Sequence, residues 1–263
     1  IQRSITKGTM PDPIVSRGEY LCARLMAEYL ARYFNEKKMA DAWLLIREDF
    51  FSATLSTLYI TLLSTLFAIL IGLPLGILLV TGDAKGIHPL PKWLMSILNW
   101  MINLLRSAPF IILIVLLMPF TRMMLGSAVG DGGVIVPLVI AAFPFVARLV
   151  EGSLRELNPN IIEMAQSSGA STWQTVFHVM LPESVPSLIT SFTTAITTIL
   201  GYTAMSGAVG GGGLGNLAIA QGQQRSNHAV LLAALVILVI LVQILQTFGT
   251  WLAKKSDKRL KNR

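Results

Sequence analysis

The sequence predicts an all-α membrane protein with five transmembrane helices and a cytoplasmic elbow between the third and the fourth. Only 13% of the 263 residues are charged, about half of the ~25% typical of soluble domains. Two uncharged stretches, residues 50–82 and 184–224, each exceed the ~20 residues that one helical span requires. The composition therefore excludes a water-soluble enzyme, and its richness in aliphatic residues excludes an intrinsically disordered chain.

Apolar segments of spanning length define the five predicted helices. They cover residues 51–81, 100–121, 134–151, 186–208 and 229–252. The second and third carry Arg106 and Arg148 near one end, and an arginine is tolerated there if its long side chain reaches the water interface. Both arginines should therefore lie on the same side of the membrane.

Basic residues predict the orientation of the chain. Six of the 21 Lys and Arg residues lie in the last ten positions, directly after the fifth predicted span. Such a cluster favours contact with anionic headgroups on the cytoplasmic side over nucleic-acid binding, so the net charge of +7 does not indicate a nucleic-acid partner. Five spans then place the N-terminus outside and the C-terminus in the cytoplasm.

The chain divides into three parts by composition. Residues 1–49 form an N-terminal extension with an amphipathic helical pattern, residues 50–253 form the transmembrane domain, and residues 254–263 form the basic cytoplasmic tail. An equally supported interpretation is that residues 1–38 precede the native protein, because Met39 could be a start residue.

Two glycine motifs are interpreted as structural. Gly72 and Gly76, with Pro74 between them, predict close approach of another helix to the first span. The glycine run at 210–215 satisfies G-x-G-x-x-G by its letters, but it follows an apolar helix rather than a strand, so we reject a dinucleotide site there.

The loop between the third and fourth spans predicts two short helices joined at a glycine. Asn158 can cap a helix that starts at Pro159, and Gly169 can end it in the left-handed conformation. Ser171 and Gln174 predict a capping box for the second helix, which we expect to end at Pro182. The pattern fits either a docking elbow for another protein or a helix pair that only closes the bundle.

The same loop resembles a known motif. Glu163, Ala165, Gly169, Val179, Leu181 and Pro182 match the E-A-A-x3-G-x9-I-x-L-P signature of the membrane subunits of ABC importers, with Met164 and Val179 as mild departures. The resemblance covers about residues 39–255. The runs at 106–110, 119–122 and 201–205, with the glycines that follow, are most similar to the methionine-uptake permeases of that family.

The resemblance implies a fold, a function and a set of partners. It implies a permease in the bacterial inner membrane that pairs with a second copy of itself, a cytoplasmic ABC ATPase and an external substrate-binding lipoprotein. It implies D- or L-methionine as the substrate, with another small amino acid as the alternative. ATP and Mg would belong to the ATPase, since this sequence lacks the G-x-x-x-x-G-K-[ST] loop.

The resemblance also assigns residues to energy coupling, whereas the transport path rests on residue spacing alone. The coupling residues are Glu163, Met164, Ala165, Gly169, Ala170, Val179, Leu181 and Pro182. The candidate path is a stripe of polar and soft residues on the fourth span, made of Ser191, Thr194, Thr198, Tyr202 and Met205. Small hydroxyl residues more often serve helix packing, and that alternative stays open.

Other classes of function are less well supported by the residues. Five acidic or histidine residues lie in or beside the elbow, Glu151, Glu156, Glu163, His178 and Glu183, but no H-E-x-x-H or other metal-ligand spacing accompanies them. No catalytic residue or metal ligand is therefore assigned, and a membrane-embedded hydrolase is disfavoured. A passive channel or an assembly scaffold remains the alternative to an ATP-driven importer.

Overall fold

The computed structural model describes residues 49–257, and these residues are predominantly helical. The α-helices are α1 (Phe51–Thr81), α2 (Lys92–Ser107), α3 (Phe110–Leu125), α4 (Asp131–Arg155), α5 (Pro159–Ser167), α6 (Thr172–Gln174), α7 (Leu181–Ser206), α8 (Gly213–Leu217) and α9 (His228–Ser256). Wide π-helical turns cover Thr175–Met180 and Ala218–Gln223. Nearly all of the predicted extension and most of the basic tail lie outside the described residues.

Among residues 49–257, four helices are long and apolar enough to cross a membrane. They are α1, α4, α9 and the continuous helical segment Thr172–Val209, and the bent pair α2 and α3 makes a fifth if it counts as one span. The all-α fold with up to five spans agrees with the prediction from composition.

The second predicted span, residues 100–121, is not one straight helix. Its chain bends by 106° between α2 and α3. The break follows from Pro109, which has no N–H to donate and which disfavours helical backbone at the residue before it. Ala108 is accordingly extended, with ψ of 128°. The apolar pattern alone did not reveal the break.

The helix ends sort into two opposite faces. On one face, the end of α4 contacts the loop after α1 through an ion pair between Arg155 and Asp83. On the other face, the N–H of Gly130 before α4 donates to the carbonyl of Gly210 after α7 at 2.9 Å. We call the first the elbow face, since α5 and α6 lie there. An up-and-down arrangement of five spans therefore connects the helices.

The two glycines of the first span lie in a close helix contact, as predicted. A Cβ atom built on Gly72 would lie 2.8 Å from the Cβ of Val146, and one built on Gly76 would lie 2.6 Å from the Cβ of Val150. Only a hydrogen atom fits at these positions, so the backbone of α1 packs directly against the valine side chains of α4. The main apolar core continues from this contact to Met180.

The glycine run closes the opposite face of the bundle. The N–H of Leu214 donates to the hydroxyl of Thr57 at 2.8 Å, and both residues are buried. A Cβ on Gly211 or Gly213 would collide with neighbouring atoms, including the hydroxyl of Thr57 for Gly213. These glycines allow backbone to pack directly on α1 and α7, which agrees with a structural role.

Gly76→Ala should destabilise the protein. The added methyl would meet Val150 and the carbonyl of Ala147 at 2.6–2.7 Å, and overpacking of this kind costs about 1–3 kcal/mol. Gly152→Ala in α4 is the matched control, because its Cβ would meet nothing within 4 Å. Thermal unfolding in detergent should show a lower Tm only for Gly76→Ala. Equal midpoints would contradict the packing account.

Candidate functional site

The elbow begins with a capped helix that ends at a glycine. The side-chain oxygen of Asn158 accepts a hydrogen bond from the N–H of Asn160 at 3.0 Å, and Pro159 occupies the first helical position. After α5 the chain turns at Gly169, whose φ of +81° lies in the left-handed region. The predicted cap and the predicted glycine turn are both confirmed.

The second elbow helix starts as predicted but does not end where it was expected to end. Ser171 and Gln174 exchange the two hydrogen bonds of a capping box, at 2.9 and 3.3 Å. The helix then continues through the π-helical turn into α7, so the prediction that Pro182 ends it is wrong. Pro182 is tolerated because the turn before it already interrupts the regular ladder, with the N–H of Leu181 bonded to Val176 five residues back.

The apolar stripe of the second helix divides into a buried and an exposed pair. Val176 and Met180 are buried in the main core, at 4% and 1% exposure. Trp173 and Phe177 lie on the surface with their rings 4.1 Å apart, and Trp173 is 69% exposed. The helical spacing of these four residues predicts that all of them bury against the membrane helices, but only two do, because the helix lies at the edge of the bundle.

The predicted coupling residues lie along this elbow, and three of the four exposed ones lie on α5 or at its turn. Glu163, Met164, Gly169 and Pro182 are exposed, whereas Ala165, Ala170, Val179 and Leu181 are half-buried. Met164 is 66% exposed and therefore lies on the outer surface of α5. Exposed thioether and aromatic side chains on one elbow are typical of a protein-binding surface.

A groove of about 520 Å³ separates α5 from the loop after α1. Asp83, Lys85, Arg155 and Glu163 contribute charged side chains to its wall. Within residues 49–257, Glu163 makes no hydrogen bond or ion pair. Its carboxylate is therefore available to a partner molecule that approaches the elbow.

An ion network ties the elbow end of α4 to α2 and to the loop after α1. Glu151 is 9% exposed, and its two carboxylate oxygens accept from Arg148 at 2.6 Å and from Arg155 at 3.0 Å. Arg148 also donates to the amide oxygens of Asn99 and Asn103, at 2.7 and 3.0 Å. Arg148 is thus satisfied inside the protein, and it does not need the water contact expected from sequence.

The outermost member of this network is the pair between Arg155 and Asp83, at 2.7 Å. The hydrogen bond from Arg155, aided by the N–H of Ala84, lowers the pKa of Asp83 below its usual 3.8. The stability that this pair contributes is present above the ordinary pKa and is lost as the pH falls through the lowered value. Since both side chains are about half-exposed, the contribution is at most about 1 kcal/mol.

Sequence reasoning missed this network, although its spacing is visible. Arg148, Glu151 and Arg155 follow one another at three and four residues, which places them on one face of a helix. Asn99 and Asn103 are four residues apart on α2. What the spacing could not show is that the two faces meet.

Comparison with known proteins decides the family. The family described as "Binding-protein-dependent transport system inner membrane component" matches residues 72–262. The chain belongs to this family. It is therefore a multi-pass inner membrane component of a transport system rather than an enzyme, and the prediction of an importer permease is confirmed at that level.

Within this family, the chain is similar to several proteins named for methionine transport. The chain is 46% identical over 208 residues to a "Probable D-methionine transport system permease protein MetI" of Pasteurella multocida, covering 79% of this chain and 95% of that protein. It is 43% identical to the "Methionine import system permease protein MetP" of Bacillus subtilis, covering 62% and 74%. A solved structure of the "MetNI methionine ABC transporter" in inward-facing conformation superposes with a TM-score of 0.77 at 39% identity, covering 82% and 97%.

The candidate transport stripe of this family member lies partly on the surface of the isolated chain. Thr194 and Met205 are exposed, and Thr198 and Tyr202 are half-buried. Ser191 instead turns toward α4, where its hydroxyl lies 2.8 Å from that of Ser153. The structure thus brings four of the five residues to one accessible face, whereas Ser191 takes part in helix packing.

Proposed function

We propose that this chain is the permease subunit of an ATP-driven importer and that it translocates D- or L-methionine delivered by an external binding protein. The observation that carries the proposal is the elbow, a glycine-hinged surface of exposed Glu163 and Met164 joined without a break to a spanning helix. Two relatives named as methionine permeases, which are 46% and 43% identical to this chain, support methionine as the substrate.

The elbow is suited to receive a cytoplasmic ABC ATPase. Glu163 has no partner in the described part of the chain, so it can pair with a basic residue of the ATPase, and Met164 offers a deformable apolar contact. Because α6 continues through the π-helical turn into α7, a displacement of the elbow moves the helix that bears the candidate path. ATP and Mg bind on the ATPase, and this chain supplies the lever.

The orientation that accompanies this function puts the elbow face in the cytoplasm. Lys85, Lys92, Lys254 and Lys255 lie at that face, and the basic tail follows from it, whereas Arg122 and Arg225 lie toward the opposite face. The C-terminus is then cytoplasmic and the N-terminus external.

A second copy of the chain completes the path in this proposal. The face that bears Thr194, Thr198 and Met205 is accessible in the isolated chain, and its small hydroxyl residues suit close packing against another membrane helix. Two copies that face each other through these stripes would enclose a path lined by hydroxyl groups. The external binding lipoprotein would dock over the opposite face.

Uptake of labelled methionine tests the proposal. The chain would be produced in cells that lack their own importer, together with ATPase and binding-protein subunits from the same genome. We expect uptake of L- and D-methionine that requires all three components. Uptake without the ATPase would indicate a passive channel, and uptake of another amino acid in place of methionine would overturn the substrate assignment.

A further inference from the structure

A cavity of about 240 Å³ lies where the second span breaks. Its wall combines the last turn of α2 with the start of α3 and with side chains of α4 and α7. The residues that matter for its chemistry are Arg106, Phe110, Phe145 and Tyr202. The volume is somewhat below the ~300–1,000 Å³ of pockets for drug-sized ligands, so it suits a molecule of amino-acid size.

The cavity lies within the membrane-spanning part of the protein. Phe110 packs in one apolar cluster with Ile60 and Leu138. At a rise of about 1.5 Å per residue, the α4 residues of the cavity wall, Ala141 and Phe145, lie roughly 21 and 15 Å from the elbow end of that helix. The cavity therefore lies about midway between the two faces.

Arg106 is the unusual group in this wall. Within residues 49–257 its guanidinium has no hydrogen-bond or ion-pair partner, whereas Arg148, the other arginine of this region, bonds to Glu151 and two asparagines. Arg106 is exposed in the isolated chain, and within a membrane a charged side chain is costly unless it meets water, a polar group or a ligand. The contrast between the two arginines indicates that the guanidinium of Arg106 is free to bind a transient anionic ligand.

The other residues of the cavity wall indicate the chemistry of the ligand. The rings of Phe110 and Tyr202 stack in parallel with centroids 4.4 Å apart, and they offer an apolar surface beside the guanidinium. Tyr202 also belongs to the candidate path on α7. The residues that line the cavity include no Asp or Glu, so a ligand's ammonium group finds no opposite charge there.

We infer that this cavity is a substrate site on the transport path, in which Arg106 binds the carboxylate of an amino acid and the aromatic residues hold its unbranched apolar side chain. The guanidinium matches a carboxylate in a two-pronged geometry, and a thioether packs well against aromatic rings. The inference rests on the proposed transport function and adds where, and by which group, the substrate is held. The amino group contributes little to recognition at this site.

Protection of an engineered cysteine tests the inference independently of uptake. Cys22, which is the only cysteine of the chain, would be replaced by alanine, and Ala108→Cys would place a thiol in the cavity wall. The variant would be purified with its ATPase in nanodiscs of zwitterionic lipid, and the alkylation rate of this chain would be measured. Leu105→Cys is a second position in the same wall, and Met124→Cys, exposed at the end of α3, is the control.

Methionine should slow alkylation in the cavity and not at position 124. The rate should fall as occupancy rises, by about threefold at twice the Kd. 4-(Methylthio)butanoate, which lacks the amino group, should protect as well as methionine, whereas methioninamide, which lacks the carboxylate, should not. Arg106→Gln should abolish protection, Arg106→Lys should retain part of it, and Arg122→Gln should leave it unchanged.

Several results would overturn the inference. Equal protection by methionine and methioninamide would exclude carboxylate recognition, and failure of both wall cysteines to react would exclude an open cavity. If anionic lipid slows alkylation of the wall cysteines without methionine, Arg106 binds an anionic lipid headgroup instead of a substrate. If the complex imports methionine but methionine does not protect the wall cysteines from alkylation, the proposed function stands and the proposed substrate site is wrong. If methionine is not taken up, protection by other amino acids and not by their amides would keep the site while changing the substrate.

Discussion

Glu151→Ala should destabilise the protein more than any other removal of a single charge near the elbow. The carboxylate is buried and bonded to both Arg148 and Arg155, so its loss leaves the guanidinium of Arg148, whose side chain is only 19% exposed, without an anion. Breaking a fully buried ion pair from one side costs about 3–5 kcal/mol. Since Arg148 keeps its two asparagine acceptors, we expect about 2 kcal/mol here.

Asp83→Ala is the matched control for this prediction. It removes a carboxylate from the same network, but the pair of Asp83 and Arg155 is about half-exposed and contributes at most about 1 kcal/mol. Thermal unfolding of the purified protein in detergent should therefore show a clearly larger decrease in Tm for Glu151→Ala. Similar midpoints for the two variants would show that burial of Glu151 does not set the strength of the network.

Gly169→Val should reduce transport strongly while leaving the spanning helices folded. The backbone at Gly169 has φ of +81°, and a β-branched residue is strained there. A cost of about 1–2 kcal/mol lowers the ratio of native to altered elbow conformations by roughly tenfold. Because the elbow is proposed to transmit the ATPase stroke, we expect a loss of up to about tenfold in uptake and in substrate-stimulated ATP hydrolysis in the complete complex.

Gly169→Asn separates backbone conformation from size. A Cβ at this position would meet nothing within 4 Å, so neither replacement collides with the chain itself. Asparagine adopts the left-handed conformation more readily than other residues with a side chain. Uptake should therefore stay near the unaltered level for asparagine and fall for valine. Equal loss in both would mean that a side chain at 169 blocks docking, and no loss in either would remove the elbow from the mechanism.

Much of this architecture could be predicted from the sequence because it depends on local rules. The predicted spans that correspond to α1, α4 and α9 are long apolar segments. The elbow was predicted from the capping and turn residues Asn158, Gly169 and Ser171. The contact of Gly72 and Gly76 with α4 followed from small-residue spacing. In each case the signal lies within one continuous segment of the chain.

The remainder depends on contacts between distant residues or on competition between local signals. Pro109 breaks the second span, whereas Pro182 does not end the elbow helix, because the π-helical turn before Pro182 changes the register of the hydrogen bonds. The presence of a proline thus does not by itself decide whether a helix ends. The partners of Arg148 come from α2, about 45 residues away in the chain, and the spacing on one helix cannot reveal them.

The cavity beside Arg106 shows the same limit. The sequence places this arginine near the end of an apolar segment, which suggests contact with interfacial water. The bend at Ala108 instead opens a space between α2 and α3 and brings Tyr202 of α7 to its edge. The predicted stripe on α7 and the arginine on α2 could be joined only by the fold.

The distance between the two elbows of an assembled transporter tests the central claim most directly. A spin label on Gln166→Cys, in the Cys22→Ala background, would place one probe on each copy of the chain within the ATPase complex, with Met124→Cys as the control on α3. The account predicts that a non-hydrolysable ATP analogue shortens the distance between the labels at 166. An unchanged distance at 166 in a complex that still imports its substrate would contradict the claim that the elbow transmits the force of the ATPase.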